Sequence, residues 1–434
     1  MSFLKKSAAT LLTQVFLIVL GMASGILVAR VLGPDLKGKA ALLSNVVQML
    51  SMIGGLGIGS SCAFFIARKQ YRPGQIILLS LYCSLAFGAV TTALFFLSYP
   101  LHKKVWDGIP FVLVSSTALL TVSYILLNYL VRVVAGYDKI YEMNAVDLVK
   151  AVLGLFFTYL LIEVMQLKLT GFVVSLYLAV LVQGLFLFWV LRKDLTAGFR
   201  LPGGMLKSSI DYGLKSYGIL VINFLNYRLD MFLLKYFKSS EEVGYYSLAV
   251  GMAELLWLMP NSTIAPLFNR IASGENKDKS LLTVRTCRWS LYSLIAISAL
   301  LLFCGRFFIE LLYGADYLPS YQPFMFLLPG VCLFPVYKLL VVDLAARGMP
   351  GYGTITSVVA LIANVGFNLI LIPRFGTVGA AVSSSISYSL MSLLSIIFFM
   401  KVSGLPLSKI FLIDRVEIDF IRNLLPFAKG EGRR

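Results

Sequence analysis

Between Gly213 and Phe237 the chain reads GLKSYGILVINFLNYRLDMFLLKYF. The stretch is long and apolar enough to cross a bilayer, yet it carries Lys215, Asn223, Asn226, Arg228 and Asp230. An ionisable group inside a span costs roughly 2.5–3.5 kcal/mol on insertion scales, so such groups persist where they face a partner or a wet cavity. At about 100° per residue, with Lys215 at zero, Asn226 falls at about 20°, Asp230 at about 60° and Asn223 at about 80°. That is one polar stripe on an apolar helix, and Arg228 stands apart from it at about 220°. Such a stripe suits a translocation pathway, with Lys215, Asn226 and Arg228 as substrate contacts and Asp230 as an ion-coupling candidate.

Other apolar stretches carry polar residues at helical spacing. Tyr124, Asn128 and Arg132 follow i, i+4, i+8 on one face. Ser247, Glu254 and Asn261 lie seven apart, with Pro260 placed to kink that helix. Lys338 and Asp343 share a later span, and Arg347 is four residues beyond Asp343, within pairing distance. Asp147 and Lys150 are also close enough to pair, and Ser357, Asn364 and Asn368 share one side of a helix. Each pattern has a bland alternative. A lone Asn or Ser often serves as an interhelical hydrogen bond, Arg132 can snorkel from a helix end, and Asp343–Arg347 can be a lock. Arg30, Arg132, Lys150, Lys215, Arg228 and Lys338 outnumber Asp147, Asp230, Glu254 and Asp343. A cationic excess suits a phosphate or pyrophosphate head, which Arg and Lys bind strongly. An exporter of cationic drugs would favour an acidic cavity.

The elements that hold these residues follow from composition. The 434 residues are 59% hydrophobic and 14% charged, with mean hydropathy +0.85. Soluble domains are about 45–50% apolar and 25% charged, so the chain reads as a polytopic all-α membrane protein. Twelve spans are expected, at about 8–32, 40–66, 76–99, 109–135, 144–163, 169–191, 212–236, 243–271, 287–313, 321–346, 352–372 and 377–400. With the N-terminus in the cytoplasm, about 24 Lys and Arg fall inside against about 10 outside. Both termini are therefore expected in the cytoplasm. The net charge of +17 reflects that loop bias and does not point to nucleic acid. The basic, glycine-rich RKDLTAGFRLPGGMLKSS splits the spans into two sets of six. The expected organisation is one bundle in 1–200, another in 201–402 and a basic cytoplasmic tail in 403–434, suited to anionic lipid.

Several chemistries are disfavoured. The five cysteines form no CxxC pair and His102 is the single histidine, so neither a metal site nor another cofactor is expected. Gly33-x4-Gly38-Lys39 opens like a P-loop, but Ala40 stands where Ser or Thr would hold magnesium. Gly54-Gly55-Leu56-Gly57-Ile58-Gly59 departs from the dinucleotide pattern and reads as close helix packing. The connections between spans leave no sizeable outer loop for a catalytic domain, which argues for a transporter over a glycan polymerase or ligase.

The halves look related. A shift of 206 residues places Gly38 on Gly244. Six spans per half is an even number, so the repeats keep one topology and relate by an axis along the membrane normal, with substrate between them.

Three blocks carry a family resemblance. ARVLGPDLKGKAALLSNVVQMLSMIGGLGIGSSCAFFIAR, RLDMFLLKYFKSSEEVGYYSLAVGMAELLWLMPNSTIAPLFNRIAS and ANVGFNLILIPRFGTVGAAVSSSIS resemble Wzx-type polysaccharide flippases of the multidrug/oligosaccharidyl-lipid/polysaccharide (MOP) exporter superfamily. The resemblance implies two six-helix bundles in a V, like the multidrug MATE exporters, around a central cavity working by alternating access. It implies the movement of undecaprenyl-pyrophosphate-linked oligosaccharide from the inner to the outer leaflet of the cell membrane, for surface polysaccharide biosynthesis. The lipid-linked oligosaccharide and membrane lipids would be its partners, with glycan polymerase or ligase machinery and a coupling H+ or Na+ as further options. Arg30 matches the family's basic residue near the end of the first helix. Asp230, Glu254 and Asp343 are the acids available for coupling. A cation-coupled small-molecule exporter of the same fold, or a peptidoglycan-precursor flippase, is the alternative. Gln14 is the only strongly polar group deep in the first span, where precursor flippases usually carry basic residues.

Overall fold

A computed structural model of the chain describes residues 3–137, 139–194, 201–273 and 279–412, apart from the side chains of 3–8, 11, 215 and 216. Among the described residues the chain is built of helices, with no strand. The helices are α1 (Phe3–Gly54), α2 (Ile58–Ala67), α3 (Pro73–His102), α4 (Phe111–Gly136), α5 (Ile140–Thr158), α6 (Lys168–Leu191) and α7 (Met205–Phe237). There follow α8 (Ser240–Leu255), α9 (Leu258–Ala272), α10 (Lys279–Tyr313), α11 (Tyr321–Ala346), α12 (Gly351–Ser403) and the short α13 (Leu407–Phe411). Among the described residues nine helices are long and apolar enough to cross a membrane, or ten if the bent pair α8–α9 is one span. The protein is thus a multi-pass, all-α membrane protein.

The two longest helices hold the boundaries that hydropathy alone leaves open. α1 has 52 residues and α12 has 53. At 1.5 Å per residue each would be roughly 75–80 Å long if straight, more than twice a hydrocarbon core. Each is interrupted by one glycine outside helical geometry: Gly33 at φ 70° and Gly376 at φ 55°. An L-residue strains there and glycine does not. The expected boundaries between the first and second spans, and between the eleventh and twelfth, fall beside these two glycines.

Two further breaks lie inside expected spans. The second span is cut at Gly55–Gly57, between α1 and α2, with Gly57 in the left-handed region. The eighth bends by 47° between α8 and α9. Pro260, expected to make that kink, lies in the first turn of α9, where it cannot donate to the Leu256 carbonyl four residues back, at the bend. The bend falls just before it, at Leu256 and Trp257, where the indole Nε1–H donates to the Val331 carbonyl at 3.2 Å.

The chain divides into two compact units. One comprises 1–248, 307–321 and 368–380; the other comprises 249–306, 322–367 and 381–434. In the first, α1 packs against α3, α4, α5 and α6, while α2 packs against α4 and α7. In the second, α9, α10, α11 and α12 surround an apolar core that includes Leu267, Cys287, Leu340 and Phe399, all nearly inaccessible. Ile410 of α13 completes that core at 1% exposure. The Arg288 guanidinium donates to the Leu412 carbonyl and the Tyr292 hydroxyl to that of Phe411, so the end of α13 is held by α10.

Candidate functional site

The first unit contains a cavity of about 620 Å3 whose lining is rich in polar groups. α4 supplies Tyr124, Asn128 and Arg132 to it, the face that the i, i+4, i+8 spacing marked. Asn128 and Arg132 are exposed there. α5 adds Lys150, whose ammonium lies 5.6 Å from the Tyr124 ring centroid. α1 adds Gln48 and Ser51. The Ser51 hydroxyl is buried and has no hydrogen-bond partner among the described residues. No acidic residue stands among the lining residues.

The break in α1 builds one wall. Where the helix stops, its last carbonyls lose their partners. Tyr129 donates its hydroxyl to the Gly55 carbonyl at 2.8 Å, and Tyr217 of α7 donates to the Met52 carbonyl at 2.5 Å. Gly57 meets Gly213 of α7 backbone to backbone, and a Cβ on either would stand within 3 Å of the other's main chain. The run Gly54–Gly59 thus acts in packing, and irregular backbone in a membrane protein is tolerated beside a cavity.

A second, apolar groove of about 400 Å3 lies between α1, α3 and α7. Met49, Leu50 and Ile53 line it from α1, and Leu229 and Phe232 from α7. Ile53 and Leu94, both on its walls, are 43% and 58% exposed, and Leu97 and Leu101 beyond them on α3 are 78% and 84% exposed. The groove therefore opens into the apolar surface that a bilayer covers. On α1 the two sites face opposite ways. With Gln48 at zero, the cavity residues Gln48, Ser51, Met52 and Gly55 fall within about 60° of it, while Met49, Leu50 and Ile53 fall at about 100–200°.

The Asn226 and Asp230 part of the polar stripe of α7 faces away from the cavity. Tyr217, Leu220 and Phe224 line the cavity at about 140–200° on the scale that places Lys215 at zero. Asn226 and Asp230 lie on the opposite side and are 0% and 1% exposed. Asp230 accepts from the Tyr246 hydroxyl of α8 at 2.5 Å and from the Met231 backbone N–H at 2.8 Å. Asn45 of α1 donates to the Met231 sulfur at 3.0 Å. This part of the stripe is a packed polar knot. The side chain of Lys215 lies outside the described residues. Arg228, at about 220°, belongs to the cavity's side of α7 one turn beyond Phe224, though it is not among the lining residues.

The remaining predicted residues fall elsewhere. Arg30 donates to the carbonyls of Leu311 and Leu312 at the end of α10, the latter at 2.8 Å. In the second unit the Lys338 ammonium sits over Trp257 and Phe334, 4.5 and 5.1 Å from their centroids, and donates to Asn261 Oδ1 at 3.0 Å. Glu254 is close enough for its charge to act on Lys338. Asp343 is fully buried. Its carboxylate accepts from Thr283 Oγ1 at 2.5 Å and from the Arg347 guanidinium, which also reaches Ser280 at 2.8 Å. That is the geometry of a lock between α10 and α11.

Of the expected site residues, Asn128 and Arg132 line this cavity, together with Lys150, Tyr124, Gln48 and Ser51, which were not among them. The i, i+3, i+7 pattern of Gln48, Ser51 and Gly55 was the legible signal for the α1 wall.

These helices form a polytopic all-α membrane fold with a polar cavity in its first unit. The chain resembles an inward-facing multidrug MATE transporter of the MOP superfamily with a TM-score of 0.75, at 16% identity, over 89% of this chain and 95% of that one. It resembles the lipid II flippase MurJ in an inward closed conformation with a TM-score of 0.75, at 14% identity, over 98% and 93%. Residues 3–272 match the polysaccharide biosynthesis protein family, and the chain belongs to that family. It is 29% identical over 181 residues to the probable flippase AglR of Haloferax volcanii, covering 39% of this chain and 37% of that protein. It is 23% identical over 171 residues to the probable low-salt glycan biosynthesis flippase Agl15 of the same organism, covering 38% and 36%. The match thus spans little more than a third of each of these relatives.

Proposed function

We propose that the protein flips a lipid-linked oligosaccharide, carried on undecaprenyl pyrophosphate, from the inner to the outer leaflet of the cell membrane by alternating access. Its product would feed surface polysaccharide assembly. The observation that carries this reading is the two-faced α1 segment Gln48–Gly55. One side meets a polar cavity with Arg132 and Lys150 on its wall, and the other an apolar groove open to lipid. A substrate with an anionic head and a long apolar chain matches both. The family match and the names of the relatives support it. In this proposal the helices of 1–200 and 201–402 form the two moving bundles, both termini are cytoplasmic, and H+ or Na+ supplies the driving force.

The same observation separates the alternatives. Two cations and no acid among the described residues of the cavity lining disfavour an exporter of cationic drugs. Gln14, expected as the lone strongly polar residue deep in the first span, gives little to hold a peptidoglycan precursor. The deciding experiment is deletion and complementation. Lipid-linked glycan should accumulate on the cytoplasmic face of the deletion strain and be cleared by the wild-type gene. Normal glycan export in the deletion strain, with raised sensitivity to cationic drugs, would replace this reading with the exporter.

A further inference from the structure

The two helix starts that the 206-residue shift equates also touch one another. A Cβ on Gly38 would fall on the Ser240 carbonyl oxygen and within 2.8 Å of the Gly244 nitrogen. A Cβ on Gly244 would fall on the Pro34 carbonyl oxygen. The shift that carries Gly38 onto Gly244 also carries Pro34 onto Ser240. The contact is therefore isologous: swapping the two halves turns each of its interactions into the other, as at a two-fold axis. Neither glycine has a left-handed φ, so glycine is needed here for close approach and not for backbone freedom.

Side-chain links surround this crossing, and each captures a backbone group at a helix end or break. Arg30 takes the carbonyls that end α10, Tyr317 donates to the Ala29 carbonyl at 3.0 Å, and Glu242 accepts from the Thr377 N–H at 3.2 Å. The Glu242 carboxylate occupies the space that a Cβ on Gly376 would need. Such bonds exchange with water at small net cost. The glycine crossing differs, because backbone against backbone has no side chain that can rearrange. It is closed or it is parted.

We propose that the reciprocal Gly38–Gly244 crossing is the closure of the transporter's outer face, lying on the axis between the related halves and parting as a unit when that face opens. The inference rests on the transporter reading for its purpose, and its geometry does not depend on which substrate moves. A permanent joint is the competing reading.

Ser240 provides the reporter. It is 2% exposed and its hydroxyl has no hydrogen-bond partner among the described residues, so Ser240→Cys places a thiol that reagent reaches only when the crossing parts. The measurement is the rate of maleimide labelling of full-length protein in proteoliposomes, with the partly exposed Cys304 replaced by serine. Gly38→Ala and Gly244→Ala should each raise that rate by about tenfold, because an added methyl in a tight contact disfavours the closed state. The double variant should label no faster than either single one, since one Cβ suffices to part the helices. Gly251→Ala, in α8 where a Cβ meets nothing within 4 Å, should leave the rate unchanged. Slow labelling in all variants, or rates that multiply in the double variant, would overturn the proposal. A lipid-linked glycan that fails to move in the same vesicles, while labelling responds as expected, would count against the flippase reading alone.

Discussion

At the scale of single residues, charge inside the apolar spans sorts into groups that face space and groups that face protein. Arg132 and Lys150 face the cavity. Arg132→Ala and Lys150→Ala should each lower the flipping rate by about tenfold or more, since a charge-assisted hydrogen bond to phosphate is worth roughly 1.5–3 kcal/mol. The thermal midpoint should stay near wild type, and flipping of a fluorescent lipid-linked glycan in vesicles reads the loss. Asp343 behaves in the opposite way. Arg347→Ala strands a buried carboxylate and should cost about 3–5 kcal/mol of stability, whereas replacing Asp343 and Arg347 together by Leu and Met should recover most of it. Thermal unfolding in detergent distinguishes the two outcomes. The contrast also shows where sequence is legible. Spacing identified the faces on which Asn128, Arg132, Asn226 and Asp230 lie. It could not say which face meets a void, because a polar stripe fits a cavity and a polar knot equally well until Tyr246 and Asn45 are placed in space.

At the scale of elements, the helices were readable and their interruptions only in part. Apolar length identifies the spans because a bilayer demands it. The break at Gly55–Gly57 was visible as a glycine run, yet a glycine run also fits unbroken close packing. The left-handed φ of Gly57 and its contact with Gly213 decide between them. Gly57→Ala should destabilise the protein by roughly 1–2 kcal/mol from backbone strain, before any cost of moving α7 away. It should also weaken substrate binding, because Tyr217 and Tyr129 hold the carbonyls freed by that break. Gly203→Ala, where a Cβ meets nothing, is the matched comparison by thermal unfolding and by binding of a lipid-linked glycan. The bend between α8 and α9 was legible, because Pro260 cannot donate to the Leu256 carbonyl four residues back. What was not legible is the tie of the Trp257 indole at that bend to the Val331 carbonyl, since no local pattern announces a long-range partner.

At the scale of the whole molecule, composition carried the class and the family blocks carried the fold. The orientation is a prediction from loop charge. A cysteine introduced at Lys193, in the expected cytoplasmic loop, should react with membrane-impermeant maleimide only after cells are opened, and one at Asp107 should react in intact cells. The reverse pattern would overturn the proposed topology and, with it, the assignment of the glycine crossing to the outer face.

The seat of Ile410 bears on how the protein is made. The core of the second unit draws on α9 through α12 and is closed by a residue of α13. Ribosome and translocon deliver these helices one after another, and domains fold as their segments emerge. That core cannot close until Ile410 has left the ribosome, so the unit must wait, inserted but unsealed, until α13 has followed α12. A message truncated just before Leu407 would release a chain with every long helix present and an apolar socket uncovered, the kind of species that cellular proteases and chaperones triage. Pulse-chase turnover of that truncated chain should show a shortened lifetime, and a lifetime equal to that of the full chain would show that α13 does not seal the core.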